Sequence, residues 1–155
     1  MFRMTRLADY GILLLTCAAR DAGRSARSAR DLAAEARVPP PTASKILKRL
    51  ARHGVLSARR GAKGGFALAR RPQEITMAEV VAALEGPVSI TICSTHGGHC
   101  GLERSCGVRN YWRRINQAVF EALRGITLAD MIRPPADDDG RGRPGPRRAA
   151  LRGYP

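Results

Sequence analysis

SARDLAAEARVPPPTASKILKRLARHGVLSARRGAKGGFAL, residues 28–68, carries two helix signals, a proline break and a glycine-tipped basic hairpin in one unbroken run. Ser28 stands three residues before Asp31, a capping-box-like start for a helix through RDLAAEA. Val38 and Pro39-Pro40-Pro41 end that helix, since an interior proline removes an N–H and clashes with the preceding turn. Proline is tolerated in a first turn, where its missing N–H would be unpaired anyway. The next helix therefore starts near Pro40 and runs through TASKILKRLARH to a stop at Gly54. Ile46, Leu47 and Leu50 give it an inner face, and Lys45, Lys48, Arg49 and Arg52 a basic outer one. Two short strands are expected near 55–59 and 65–68, with Arg60-Gly61-Ala62-Lys63-Gly64 as the tip between them. Each piece alone is a weak signal, but their order and spacing describe a winged helix-turn-helix.

The flanks extend that reading. Residues 5–20 form a first helix, with Leu7, Tyr10, Leu14 and Ala18 at helical spacing. After the hairpin, Ile75-Thr76-Met77-Ala78-Glu79 offers a second capping box for a helix that runs to Leu84 and stops at Gly86. Beyond a cysteine-bearing segment, Val108, Tyr111, Trp112, Ile115, Val119, Ala122 and Leu123 recur at three- and four-residue steps. That is one long amphipathic helix ending at Gly125, whose apolar stripe packs either on its own domain or on a partner helix. Thr127 and Asp130 open a last short helix. From 134 onward acidic, glycine, proline and arginine residues dominate, so a disordered tail is expected. The fold class is mainly α with a small β-hairpin wing. Its expected organisation is a winged helix-turn-helix domain (1–86), a cysteine loop (87–106), a dimerisation helix with a short terminal helix (107–133) and a basic tail (134–155).

Length and charge bound the function. A chain of 155 residues suffices for one modest domain with a single core. A formal net charge of +14 points to a polyanionic partner, nucleic acid before an anionic membrane surface. Only three lysines, Lys45, Lys48 and Lys63, accompany the many arginines, so a compositional bias contributes to the charge. No stretch approaches the roughly 20 apolar residues of a membrane helix. GILLLTCAA after Arg6 faintly resembles a lipoprotein signal, but Asp9 interrupts its entry and Thr16 fits poorly before Cys17. A buried first helix, with Cys17 as a small core residue, accounts better for the stretch, and a cytoplasmic location is expected.

On DNA, a helix in the major groove reads base edges chiefly from its N-terminal half. Thr42, Ala43, Lys45 and Arg49 are the candidates for that role. Lys48 and Arg52 lie later and are assigned to phosphate, which fixes register without specifying sequence. Arg59, Arg60 and Lys63 on the wing are placed to reach the adjacent minor groove.

The segment ITICSTHGGHCGLERSCGVRNYW (90–112) brings Cys93, Cys100 and Cys106 together, with six and five residues between successive cysteines. In a reducing compartment such clustering reads as metal-binding or redox-active before it reads as a structural disulfide. Thiolates this close can share a soft metal ion or an iron–sulfur cluster. Zinc is one alternative, held by Cys93, Cys100 and Cys106 with His96 or His99. A metal-free thiol switch is another. A thiol enzyme is the distant one, since no oxyanion scaffold accompanies the cysteines. A DNA-compacting protein would fit the charge and leave the cysteine loop unexplained.

MTRLADYGILLL, PPPTASKILKRLARHGVL, SARRGAKGGFAL, ITMAEVVAALEG and the three-cysteine loop occur in this order across about residues 1–133. Together they resemble the Rrf2-type regulators, which include iron–sulfur cluster (IscR-like) and nitric-oxide-sensing (NsrR-like) regulators. Within that family, the loop ending CGVRNYWRRINQAV looks most like the regulators of SUF cluster assembly. The resemblance implies a homodimeric winged-helix repressor whose long C-terminal helix crosses to its partner. It also implies an iron–sulfur cluster on Cys93, Cys100 and Cys106, 2Fe–2S rather than 4Fe–4S, that alters affinity for operator DNA near cluster-biogenesis genes. The cluster-biogenesis members use a histidine three residues after the last cysteine, where this chain has Arg109, a cation that cannot ligate. Other members use an acidic residue near the N-terminus of the partner subunit, and Asp9 matches that position. His99 and His96 are chemically capable alternatives, and an exogenous or missing ligand stays open.

Overall fold

A computed structural model describes residues 5–20, 25–61, 64–91, 100–101 and 106–133. The elements run α1 (Arg6–Ala19), α2 (Ala29–Ala36), α3 (Pro40–Arg52), β1 (Leu56–Arg59), β2 (Gly65–Leu68), a 3-10 turn (Pro72–Glu74), α4 (Met77–Glu85), α5 (Arg109–Arg124) and α6 (Leu128–Ile132). The starts follow the capping chemistry. Thr5, Ser28, Thr76 and Thr127 each accept a backbone N–H of the first turn through the side-chain oxygen, a contact generally worth about 1 kcal/mol. At Thr76 and Thr127 the box is reciprocal, with Glu79 and Asp130 accepting from the cap's own N–H. α2 ends at Arg37 in the left-handed conformation, φ 54°, and its amide returns to the carbonyls of Ala33 and Ala34.

α1, α2, α3 and α4 pack around one core. Leu14 and Leu15 of α1, Leu32 of α2, Ile46, Leu47 and Leu50 of α3, and Val80 and Leu84 of α4 are all buried in it. Burying each such side chain contributes roughly 1.5–3 kcal/mol, so the helix-turn-helix pair is held mainly by its inner apolar line. Cys17 belongs to this core at 5% exposure.

β1 and β2 pair antiparallel, Leu56 opposite Leu68 and Arg59 opposite Gly65. The wing does not hang free at its base. Arg27 pairs with Phe66 as an antiparallel bridge, its N–H donating to the Phe66 carbonyl at 2.9 Å and its carbonyl accepting from Phe66 N–H at 2.8 Å. Gly65 has φ +149°, and a Cβ added there would meet the Arg27 carbonyl carbon at 2.5 Å. Only glycine admits this close approach of wing and connection. Neither the bridge nor the 3-10 turn at Pro72–Glu74 was anticipated from the sequence.

The C-terminal part folds back onto α4. Met77 N–H donates to the Ile126 carbonyl at 2.9 Å and Leu128 N–H to the Ile75 carbonyl at 2.8 Å, while Leu128 is fully buried. α5 meets α4 through a half-buried side that includes Phe120 and Leu123. None of its residues is fully buried, and Val108, Tyr111, Trp112 and Ile115 stand exposed along its first half. Among the described residues no helix is long and apolar enough to cross a membrane. The tail, 134–155, lies outside the described residues.

Candidate nucleic-acid interface and cysteine site

α3 separates its faces by arithmetic. Ala43, Ile46, Leu47 and Leu50 are buried, while Pro41, Lys45, Lys48 and Arg52, at steps of four, three and four, are exposed. At 3.6 residues per turn these four fall on one line opposite the buried one. Lys45, Lys48 and Arg52 make no ion pair among the described residues. Thr42 is half-buried at the flank. Arg59 and Arg60 are exposed at the end of β1 and the start of the tip, and Lys63 lies outside the described residues.

Two of the expected base-reading residues are placed differently. Ala43 is 0% exposed and packs into the core, so its side chain is withdrawn from the exposed side of α3. Arg49 turns toward α4, where its Nε–H donates to the Ala83 carbonyl at 2.9 Å in a half-buried position. An arginine held this way ties α3 to α4. The residue that the outward line adds is Pro41, four positions before Lys45.

Several other cations are engaged within the fold. Arg20 and Arg27 hold Glu35 from two sides, at 3.1 and 2.6 Å, and Arg27 also donates to the Cys17 carbonyl. The Arg27 hydrogen bond is the main reason the Glu35 carboxyl sits below its ordinary range. Arg70 pairs with Glu79 at 2.9 Å. Lys45, Lys48 and Arg52 on α3 and Arg59 and Arg60 on the wing are among the cations left facing outward, as are Arg113 and Arg114 on α5.

The cysteine segment touches α5 at its start and runs into it at its end. Ile90 N–H donates to Asn116 Oδ1 of α5 at 3.0 Å, and the Cys106 carbonyl accepts from Arg109 N–H at 3.3 Å in the helix's first turn. Cys100 and Cys106 are half-buried free thiols. Cys93, His96 and His99 lie outside the described residues. Among the described residues no group of three or more potential ligands is assembled. The two described thiols suit a soft metal or a cluster chemically, with the remaining donors to be supplied from elsewhere. Arg109 begins α5 and offers no lone pair.

Asp9 lies exposed in the first turn of α1 beside Thr5, Arg6 and Ile12, and its side chain makes no hydrogen bond or ion pair among the described residues. Cys17 is distant in role. Burial, reinforced by the Glu35 charge, pushes its thiol above the ordinary value of 9.0, which leaves it a core side chain rather than a nucleophile.

A helical pair with an exposed cationic line, followed by a basic hairpin anchored at its base, defines a winged helix-turn-helix DNA-binding regulator. The chain belongs to the Rrf2 family, described as iron-dependent transcriptional regulators, whose profile matches residues 4–134. It is similar to the HTH-type transcriptional repressor NsrR of Streptomyces coelicolor, 30% identical over 86% of this chain and 90% of that one. Among solved structures it resembles CymR, the global cysteine regulator of B. subtilis, with a TM-score of 0.66 and 26% identity over 85% and 97% of the two chains. T. potens IscR shares the fold, with a TM-score of 0.63 and 24% identity over 84% and 86%. These relatives are transcriptional regulators and not enzymes, as the sequence reading expected.

Proposed function

We propose that this regulator acts as a homodimeric repressor whose operator affinity is set by an iron–sulfur cluster, 2Fe–2S rather than 4Fe–4S, and that it governs genes of cluster assembly. The observation that carries the reading is the anchoring of the cysteine segment, at Ile90 and at Cys106, to α5, whose first half leaves its apolar face uncovered. A group bound by that segment would act on the helix that the dimer uses.

Cys93, Cys100 and Cys106 would hold the cluster, with Asp9 of the partner subunit as fourth ligand and His99 or His96 as the alternatives. A cluster supplies a group that oxidation, nitric oxide or iron shortage removes. Arg109, Arg113 and Arg114 put positive charge at the start of α5, which favours a negatively charged thiolate-held group. Val108, Tyr111, Trp112 and Ile115 would form the seam between two copies of α5. Lys45, Lys48, Arg52, Arg59, Arg60 and Lys63 would contact DNA, with Thr42 at the flank.

Since a ligand shifts an equilibrium only by its differential affinity for the two states, the cluster must bind one arrangement of the two DNA-binding heads better. An oxygen ligand from α1 would join the cysteine segment of one subunit to the winged domain of the other. The likeness to CymR keeps a metal-free thiol switch as the second reading.

Anaerobic purification, a visible spectrum, and iron, sulfide and zinc assays separate the readings. A coloured protein with matching iron and sulfide, lost in Cys100→Ala, supports the cluster. Stoichiometric zinc in a colourless protein would replace it with the tetrahedral site. A metal-free protein with a reversible disulfide would replace it with the thiol switch.

A further inference from the structure

Three of the backbone groups that would ordinarily donate at the start of a recognition helix are missing from α3. Pro39 is the N-cap, Pro40 and Pro41 are the first two helical residues, and none of the three has an N–H. The Ala43 amide is already bonded to the Pro39 carbonyl at 2.9 Å. Of the donors that a helix N-terminus normally presents, Thr42 N–H alone is left. This end of α3 is therefore poorly suited to holding a phosphate, the usual ligand of such a terminus.

All three prolines are exposed, and Pro41 heads the outward line that continues through Lys45, Lys48 and Arg52. The face combines two chemistries. Its later part is cationic and suits phosphate or guanine edges. Its tip is an apolar pyrrolidine surface with almost no donor to desolvate. In the major groove one base-pair feature matches such a surface, the C5-methyl group of thymine.

We infer that Pro41 is a specificity-determining residue that reads a thymine methyl group at the N-terminal end of α3. The inference rests on the DNA-binding reading above and deepens it. Lys45, Lys48 and Arg52 supply attraction that is largely indifferent to sequence, and Pro41 supplies a contact that a cytosine or uracil at the same place cannot make. Replacing Pro41 by alanine removes the ring and leaves a residue that a first helical turn accepts readily.

The test selects a binding sequence for the purified full-length protein from a random duplex pool made with thymine. Each thymine of the selected sequence is then replaced in turn by deoxyuridine, which removes the methyl group and nothing else. For the wild-type protein at least one replacement should weaken binding about fourfold, the size expected for one buried methyl-sized group. Pro41→Ala should bind the thymine and uracil versions of that site equally, while Lys45→Ala keeps the preference at lower overall affinity. A melting temperature close to wild type shows that Pro41→Ala is folded. Wild-type indifference to every replacement, or an undiminished preference in Pro41→Ala, overturns the inference and leaves the DNA-binding reading standing. Failure of the wild-type protein to select any sequence overturns both.

Discussion

Gly65→Ala should loosen the wing and weaken the whole domain, for reasons that can be added up. The wing is joined to the connection before α2 by two backbone hydrogen bonds, of 2.9 and 2.8 Å, between Arg27 and Phe66. Gly65 precedes that bridge at φ +149°, and a Cβ there would meet the Arg27 carbonyl carbon at 2.5 Å. Holding alanine in a glycine region of backbone space costs about 1–3 kcal/mol. If the strand moves away instead, the two hydrogen bonds are lost at about 1 kcal/mol each. Either route destabilises by about 2 kcal/mol, which lowers the melting temperature of a domain this size by roughly 5–10 °C. The displaced wing carries Arg59, so the slope of log affinity against log salt should also fall by about one unit. Circular dichroism melts and fluorescence anisotropy at several salt concentrations measure both. A variant that melts within about 2 °C of wild type and keeps its salt slope would refute the argument that the Arg27 bridge positions the wing.

Other substitutions separate structural from DNA-facing cations. Arg49→Ala should lower stability by about 1–2 kcal/mol in a denaturant melt, because it leaves the Ala83 carbonyl without its donor. Lys48→Ala, on the exposed line, should leave the melt unchanged and reduce the salt slope by about one unit. Glu79→Ala should destabilise by about 1 kcal/mol, because it removes the carboxylate that accepts from Thr76 N–H and keeps only the backbone half of the cap. Acid should act on the same site. Partial burial raises the Glu79 carboxyl, but the Thr76 amide and Arg70 outweigh it and hold the group below its ordinary value of 4.5. The stability it contributes is therefore complete above pH 4.5 and disappears as pH falls through the lower folded-state value. A pH titration of the melt should show wild type losing its advantage over Glu79→Ala in that acidic window, and a constant difference down to pH 2 would count against the cap, since about pH 2 lies below most folded carboxylates.

Much of the architecture was legible because local rules decide it. Ser28, Thr76 and Thr127 mark helix starts by offering a side-chain oxygen where backbone donors are orphaned. Pro40 fits only a first turn, and Gly65 with Leu68 bounds a strand as expected. What escaped was decided by contacts distant in sequence. The side of α3 that carries Ala43 looked neutral, since alanine suits a surface or a core, and only packing against the neighbouring helices buries it. Arg49 read as one more basic residue because its partner is a backbone carbonyl on α4, which has no sequence signature. The Arg27–Phe66 bridge pairs a connection with a strand and likewise leaves no local trace. Pro41 was legible as a helix start but not as a surface, although its step of four from Lys45 carries that information. For the cysteine site, the sequence brought three thiols close along the chain, and the structure adds that two ends of their segment are tied to α5.

If the proposed cluster and the DNA-binding heads share one equilibrium, a single titration shows it. Anaerobically purified protein is bound to a labelled selected duplex, and the cluster is removed stepwise with nitric oxide or a chelator while absorbance and anisotropy are recorded on the same sample. Operator affinity should change in proportion to the absorbance lost, and Cys100→Ala should show neither the absorbance nor the change. Affinity that stays constant while the absorbance vanishes would contradict the shared equilibrium.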